Sequence, residues 1–185
     1  MTFRKILTAL DRSPQASIVF EQALALAQLD NSSLMVFTTL AWQPREATSA
    51  FVGIGTLADI DLYHHSHQIH QERLQKEIED ISTWLQFYCQ RAETQGVSAE
   101  HDYKIGDPGG WICEVAKSWQ ADLITLGRRG RKGISEILLG SVSNHVLHHA
   151  PCSVLVVQGM DLPTTEQSTS TTQGNQEGQD LQELS

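Results

Sequence analysis

The chain has 185 residues, 40% of them hydrophobic and 19% charged, and carries a formal net charge of −9. That length fits one domain plus a modest extension and is enough to bury a core. The acidic balance excludes a general nucleic-acid surface, which needs clustered Lys and Arg.

Three cysteines, Cys89, Cys113 and Cys152, are scattered and form no Cys-x-x-Cys pair. They fit thiols kept reduced as small buried hydrophobes. The apolar run after Arg4-Lys5 ends at Asp11, too short for the hydrophobic region of a signal peptide, and nothing approaches a membrane span. The expectation is a cytoplasmic protein without a membrane or nucleic-acid partner.

Phe3 to Leu10 reads as a short, mostly apolar first strand of the buried parallel kind. Asp11-Arg12-Ser13-Pro14 follows as a turn, with Ser13 as N-cap and Pro14 at the first helical position. The helix from Pro14 to about Leu29 gathers Ala16, Val19, Phe20, Ala23, Leu24 and Ala27 on one face. Leu34 to Leu40 is a second strand, and 41–63 is irregular, with Pro44, Gly53 and Gly55. A long helix over Tyr63 to Thr94 carries an inner stripe of Ile69, Leu74, Ile78, Ile81, Leu85 and Tyr88 or Cys89, closed by Gly96. Val97 to Ile105 is the third strand. Gly106-Asp107-Pro108-Gly109 opens a shorter helix whose Trp111, Val115 and Trp119 read as a core stripe. A fourth strand (Asp122 to Leu126), a glycine loop, a helix (Val142 to His149) and a fifth strand (Ser153 to Val157) complete the domain.

This alternation predicts an α/β fold, a five-stranded parallel sheet in the order 3-2-1-4-5 with helices on both faces. Ligands bind in such sheets where the chain reverses, here between strands one and four. The domain is assigned to 1–157. The segment 158–185, rich in Gln, Ser and Thr, holds five acidic residues and no Lys or Arg, and reads as a disordered tail.

The loops emerging at that reversal are Asp11–Ser13 and Gly127-Arg128-Arg129-Gly130, the latter followed nine residues later by Gly140-Ser141-Val142-Ser143. A glycine-rich turn between a strand and a helix start converges backbone N–H groups on an anion, and the helix dipole adds to them. Arg128, Arg129, Arg131 and Lys132 make a local basic patch suited to a small anionic ligand. The Walker motif is absent, so P-loop phosphoryl transfer is not implied. Asp11 serves either as a turn residue or as a ligand contact. His64-His65-x-His67-x-x-His70 permits two-ligand metal binding on a helix face, but no supporting Cys or His-Glu-x-x-His pattern accompanies it, and a solvated helix start is the simpler reading.

The spacing Gly127-x-x-Gly130, nine residues, Gly140-Ser141 resembles the ATP-binding signature of the universal stress proteins. Asp11-x-Ser13 after the first strand, Gly106-Asp107-Pro108, Asp122-Leu123-Ile124 and Pro151-Cys152-Ser153-Val154-Leu155-Val156-Val157 resemble the family too, over about residues 1 to 157. The resemblance implies a Rossmann-like domain that binds ATP, with AMP or ADP as alternatives and Mg as an accompanying cation. It also implies a homodimer through the last strand, Val154–Val157. It places Asp11 beside the nucleoside or a metal, Thr38 against adenine through its backbone, and Gly127, Gly130, Gly140, Ser141 and Val142 around the phosphates; Arg128 of the basic loop and Ser143 at the helix start are further nucleotide-binding candidates. The expected function is a stress-response regulator whose nucleotide shifts its conformation. A slow ATPase or phosphotransferase is the enzymatic alternative, for which Asp11 and Ser141 are the candidates and no acid–base pair declares itself. A nucleotide-independent dimeric adaptor is the third reading, against which the intact glycine signature counts.

Overall fold

The structure, a computed structural model, describes residues 2–40, 57–128 and 139–158. Five strands, β1 (Lys5–Ala9), β2 (Ser33–Leu40), β3 (Ala99–Ile105), β4 (Leu123–Gly127) and β5 (Ser153–Val157), alternate with four helices: α1 (Ala16–Asp30), α2 (Leu57–Thr94), α3 (Pro108–Trp119) and α4 (Ser141–His149). The strands form one parallel sheet in the order β3-β2-β1-β4-β5, as the alternation predicts.

Strand periodicity sorts the sheet's side chains onto two cores. Ile6, Leu34, Val36 and Leu123 point to one face, where α1 supplies Val19, Phe20, Ala23 and Leu24 and α2 supplies Ile81, Leu85, Tyr88 and Ala92. Leu7, Met35, Phe37, Ile124 and Leu126 point to the other, against Ile112, Val115 and Ala116 of α3 and Val146 of α4. Thr8 and Thr125 are register partners, fully buried, and neither hydroxyl has a hydrogen-bond partner among the described residues.

Four local expectations are corrected. First, α1 begins at Ala16, not Pro14, with Gln15 at the N-cap and no side-chain cap. Asp11 Oδ1 takes both the N–H and the hydroxyl of Ser13, whose Oγ still accepts Gln15 N at 3.3 Å; Ser13 thus keeps its capping bond, but 14–15 form a turn ahead of the first regular helical residue. Second, the long helix starts at Leu57, so 57–63 is helical rather than irregular. Third, its inner stripe is buried only from Ile81 onward, where the sheet lies beneath it; Ile69 is exposed. Fourth, the Trp111–Val115–Trp119 stripe is core only in part: Val115 is buried with Ile112 and Ala116, and Trp119 packs against them. Trp111 instead lies exposed on the flank and donates its indole N–H to Ile105 O at 3.0 Å. Trp119 is half-buried, donating to Glu100 Oε1 at 2.6 Å.

Asp107 does cap α3, accepting from Gly110 N at 2.7 Å, and Pro108 occupies the first turn. Gly96, at φ +81°, ends the turn after α2. Gly109 lets α3 press on α4: a Cβ built there would stand 2.8 Å from the His145 ring. The tail reading and the Gly53–Gly55 segment lie outside the described residues.

Candidate functional site

The site is built at the carboxyl ends of β1 and β4. Their register runs to Ala9↔Leu126, so Asp11 and Arg128 stand two residues further on, at the point where the strand order reverses. The chain leaving β1 is fastened from the β2 side. Leu10 N donates to Phe37 O at 2.9 Å, and Thr38 Oγ1 donates to Leu10 O at 2.7 Å. The Asx turn at Asp11 then closes over Ser13. It engages only Oδ1, leaving Oδ2 without a hydrogen-bond partner among the described residues.

On the β4 side Arg128 works through its backbone. Its N–H extends the ladder to Val157 O at 2.9 Å. Its carbonyl accepts Gly140 N at 2.9 Å and Ser143 Oγ at 2.9 Å, and the same Ser143 hydroxyl reaches Gly140 O at 3.1 Å. Residues fifteen apart in sequence are thereby clamped, and α4 is held with its N-terminus beside the end of β4. The N–H groups of Ser141, Val142 and Ser143 open the helix and have no intrahelical acceptor. No acidic residue sits in that first turn, and Ser141 is exposed. Three amides, the positive end of a nine-residue helix and no competing carboxylate in the turn form a donor set that fits an anion of phosphate type. Where a divalent cation accompanies the phosphate, Asp11 Oδ2 is an oxygen of the right chemistry for it.

Several residues singled out in the sequence come together here: Asp11, Gly127, Arg128, Gly140, Ser141, Val142 and Ser143. Thr38 lies beneath them, 6% exposed and inside the sheet between β1 and β3, so its hydroxyl braces the Asp11 turn from below. Gly140 is not forced by backbone conformation, since its φ −62° and ψ 157° suit any residue. Gly130, Arg129, Arg131 and Lys132 fall outside the described residues, as do the side chains of His64, His65, His67 and His70 on α2. Two features escape sequence reasoning. The Arg128 carbonyl clamp leaves no side-chain signal at all, and the Thr38 hydroxyl is marked only by a polar residue inside an apolar strand.

No activated nucleophile faces this site among the described cysteines. Burial pushes the Cys113 and Cys152 thiols up, with carboxylates (Glu114 and Asp107, and Asp122) adding to the effect. Burial, with Glu93 and Glu100, pushes Cys89 up to about 11. Among the described residues no group of three or more His, Cys, Asp or Glu is placed to hold a metal. No described helix is long and apolar enough to cross a membrane.

The family model described as "Universal stress protein family" matches residues 2–158. A curated relative, universal stress protein Sll1388 of Synechocystis, is 43% identical over 160 residues, covering 85% of this chain and 99% of its own. Among solved structures, the universal stress protein UspA of Lactobacillus plantarum superposes with a TM-score of 0.66 at 23% identity, over 85% of this chain and 99% of that one. A universal stress protein in complex with cAMP gives 0.56 at 21%, over 85% and 98%. One from Arabidopsis thaliana with AMP bound gives 0.53 at 17%, over 88% and 97%. The matched residues contain every element of the sheet and both halves of the site, and the chain belongs to the universal stress protein family.

Proposed function

We propose that this chain is a nucleotide-binding regulatory protein that takes an adenine nucleotide between the Asp11 turn and the start of α4. The observation that carries the reading is the Arg128 carbonyl, which holds the amides of Ser141, Val142 and Ser143 at the switch point of the sheet. The phosphates lie on those amides, with Gly127, Arg128, Gly130 and Gly140 lining them and Asp11 beside the ribose or a Mg ion. Thr38 contributes from beneath, fixing the turn. The nucleotide is ATP, with AMP and ADP as its competitors for the same amides; the cAMP and AMP complexes of similar proteins support the adenine class.

The chain acts in the cytoplasm as a homodimer. β5 is an edge strand whose Val154, Leu155 and Val156 are only half-buried, and pairing with a second copy would cover them. Nucleotide occupancy shifts the conformational population and so the surface offered to a protein partner.

The test is to denature freshly purified protein and identify what it releases by ion-exchange chromatography and mass spectrometry. Stoichiometric ATP supports a sensor with slow turnover, and ADP or AMP directs attention to hydrolysis. No released nucleotide, together with no rise in melting temperature on adding ATP, ADP or AMP, overturns the reading.

A further inference from the structure

A second concavity opens on the α1–α2 side of the sheet, a cleft of about 390 Å³ between the start of α1 and the middle of α2. Its lining is Arg12, Ser13, Ala16, Asp80, Trp84 and Tyr88; none belongs to β4, α4 or the Arg128 clamp, but Arg12 and Ser13 come from the turn that begins at Asp11. The aromatic wall is anchored in the core. Tyr88 packs against the fully buried Phe20 with ring centroids 4.7 Å apart, and Trp84 meets Tyr88 edge-on at 5.3 Å and 88°. That three-ring stack fixes the half-buried indole before any ligand arrives, which lowers the entropy cost of stacking on it.

The polar groups are arranged around this wall. Arg12 and Asp80 are exposed, come from different elements and take part in no ion pair among the described residues. Backbone at Arg12 is held by the hydrogen bonds that close the Asp11–Ser13 turn. Burial raises the Tyr88 phenol above its ordinary range, with Arg91 opposing less strongly, so it stays an O–H donor at neutral pH.

We infer that this cleft binds a planar aromatic carboxylate, its ring against Trp84, its acid group on Arg12 and a ring amino or hydroxyl donor toward Asp80. A guanidinium and a carboxylate flanking an aromatic face select a flat ligand with an acceptor at one end and a donor at the other. The cleft shares the Asp11–Ser13 turn with the nucleotide reading, and the AMP arm of the test separates the two.

The experiment titrates anthranilate (2-aminobenzoate) into the full chain by isothermal calorimetry, with and without saturating AMP. Expected is saturable binding of one anthranilate per chain with Kd below about 1 mM, unaltered by AMP. Arg12→Gln and Trp84→Leu should each weaken it roughly tenfold. Arg12 is exposed, so its substitution leaves the fold intact and keeps the test decisive should Trp84→Leu unfold; thermal melts report on both. Absence of saturable binding overturns the inference, and so does an unchanged Kd in Arg12→Gln. Displacement of anthranilate by AMP also overturns it, since the cleft would then be part of the nucleotide site.

Discussion

Replacing Gly109 with Ala probes the packing that holds the site's helix in place. The added Cβ would lie 2.8 Å from Cγ and Cδ2 of His145 and 3.0 Å from its Cβ. Rotating the imidazole relieves the first two contacts but not the third, which sits at the root of the side chain. Helix α4 must therefore move away from α3, or α3 must tilt. Overpacking of this kind costs about 1–3 kcal/mol. Ala gains up to about 1 kcal/mol over Gly in a helix, less in a first turn. The net loss is then about 1–2 kcal/mol, or roughly 2–8 °C in melting temperature for a domain of this size. Circular-dichroism melts of Gly109→Ala, His145→Ala and the double variant measure it. The two substitutions should couple by at least about 0.5 kcal/mol, because shortening His145 to Ala removes the two 2.8 Å ring contacts and leaves only the one to Cβ at 3.0 Å. AMP affinity should fall in Gly109→Ala, since the amides of Ser141–Ser143 ride on α4. A Gly109→Ala protein that melts at or above the parent temperature refutes the reasoning.

Threonines in the sheet should respond in opposite directions. Thr125→Val, and likewise Thr8→Val, removes a buried hydroxyl that has no partner among the described residues and should leave stability unchanged or raise it by about 1 kcal/mol; a loss in both variants contradicts this. Thr38→Val instead breaks the bond to Leu10 O and should cost about 1–2 kcal/mol in denaturant titrations, with weaker nucleotide binding because the Asp11 turn loosens. The Cys89 thiol also sets a pH dependence. Its ordinary value of 9.0 is raised to about 11 in the fold, so between those values the unfolded chain loses its proton first. Stability is then full below pH 9 and declines as pH rises toward 11, by on the order of 1 kcal/mol, and Cys89→Ala should flatten part of that slope. An unaltered slope in the variant contradicts the assignment.

Topology was legible because it rests on patterns repeated over many residues. Apolar runs in β1, β2 and β4 and the face of α1 each average over several side chains, so single exceptions do not mislead. The six residues assigned to the inner face of α1 are all buried. Misreadings arose where one contact decides. Ser13 has the right identity for an N-cap and does accept Gln15 N, yet 14–15 close as a turn and the regular helix begins only at Ala16. Trp111 and Trp119 share a helical spacing, but only Trp119 packs against the core; Trp111 lies at the exposed edge of that face, and each indole N–H finds an acceptor at the sheet's rim. Ile69 belongs to a periodic stripe on a helix that outruns the sheet, so no described residue lies there to bury it. Of the candidate site, the sequence revealed the residues with unusual identities and not the backbone work. A carbonyl that accepts two donors, as at Arg128, is invisible in any side chain.

The central claim is that main-chain amides at the start of α4 grip the phosphate. Ser141→Pro tests it most directly. Proline is tolerated at the first position of a helix, and Gly140 already has the extended conformation required before it, so the fold should survive while one amide N–H disappears. Ser141→Ala is the companion, lacking the hydroxyl but keeping the amide. Calorimetric titration with ATP and AMP should show Ser141→Pro binding about 10–100-fold more weakly than the parent, and Ser141→Ala within a few-fold of it, at matching melting temperatures. Equal affinity for the parent and a folded Ser141→Pro protein would contradict the account.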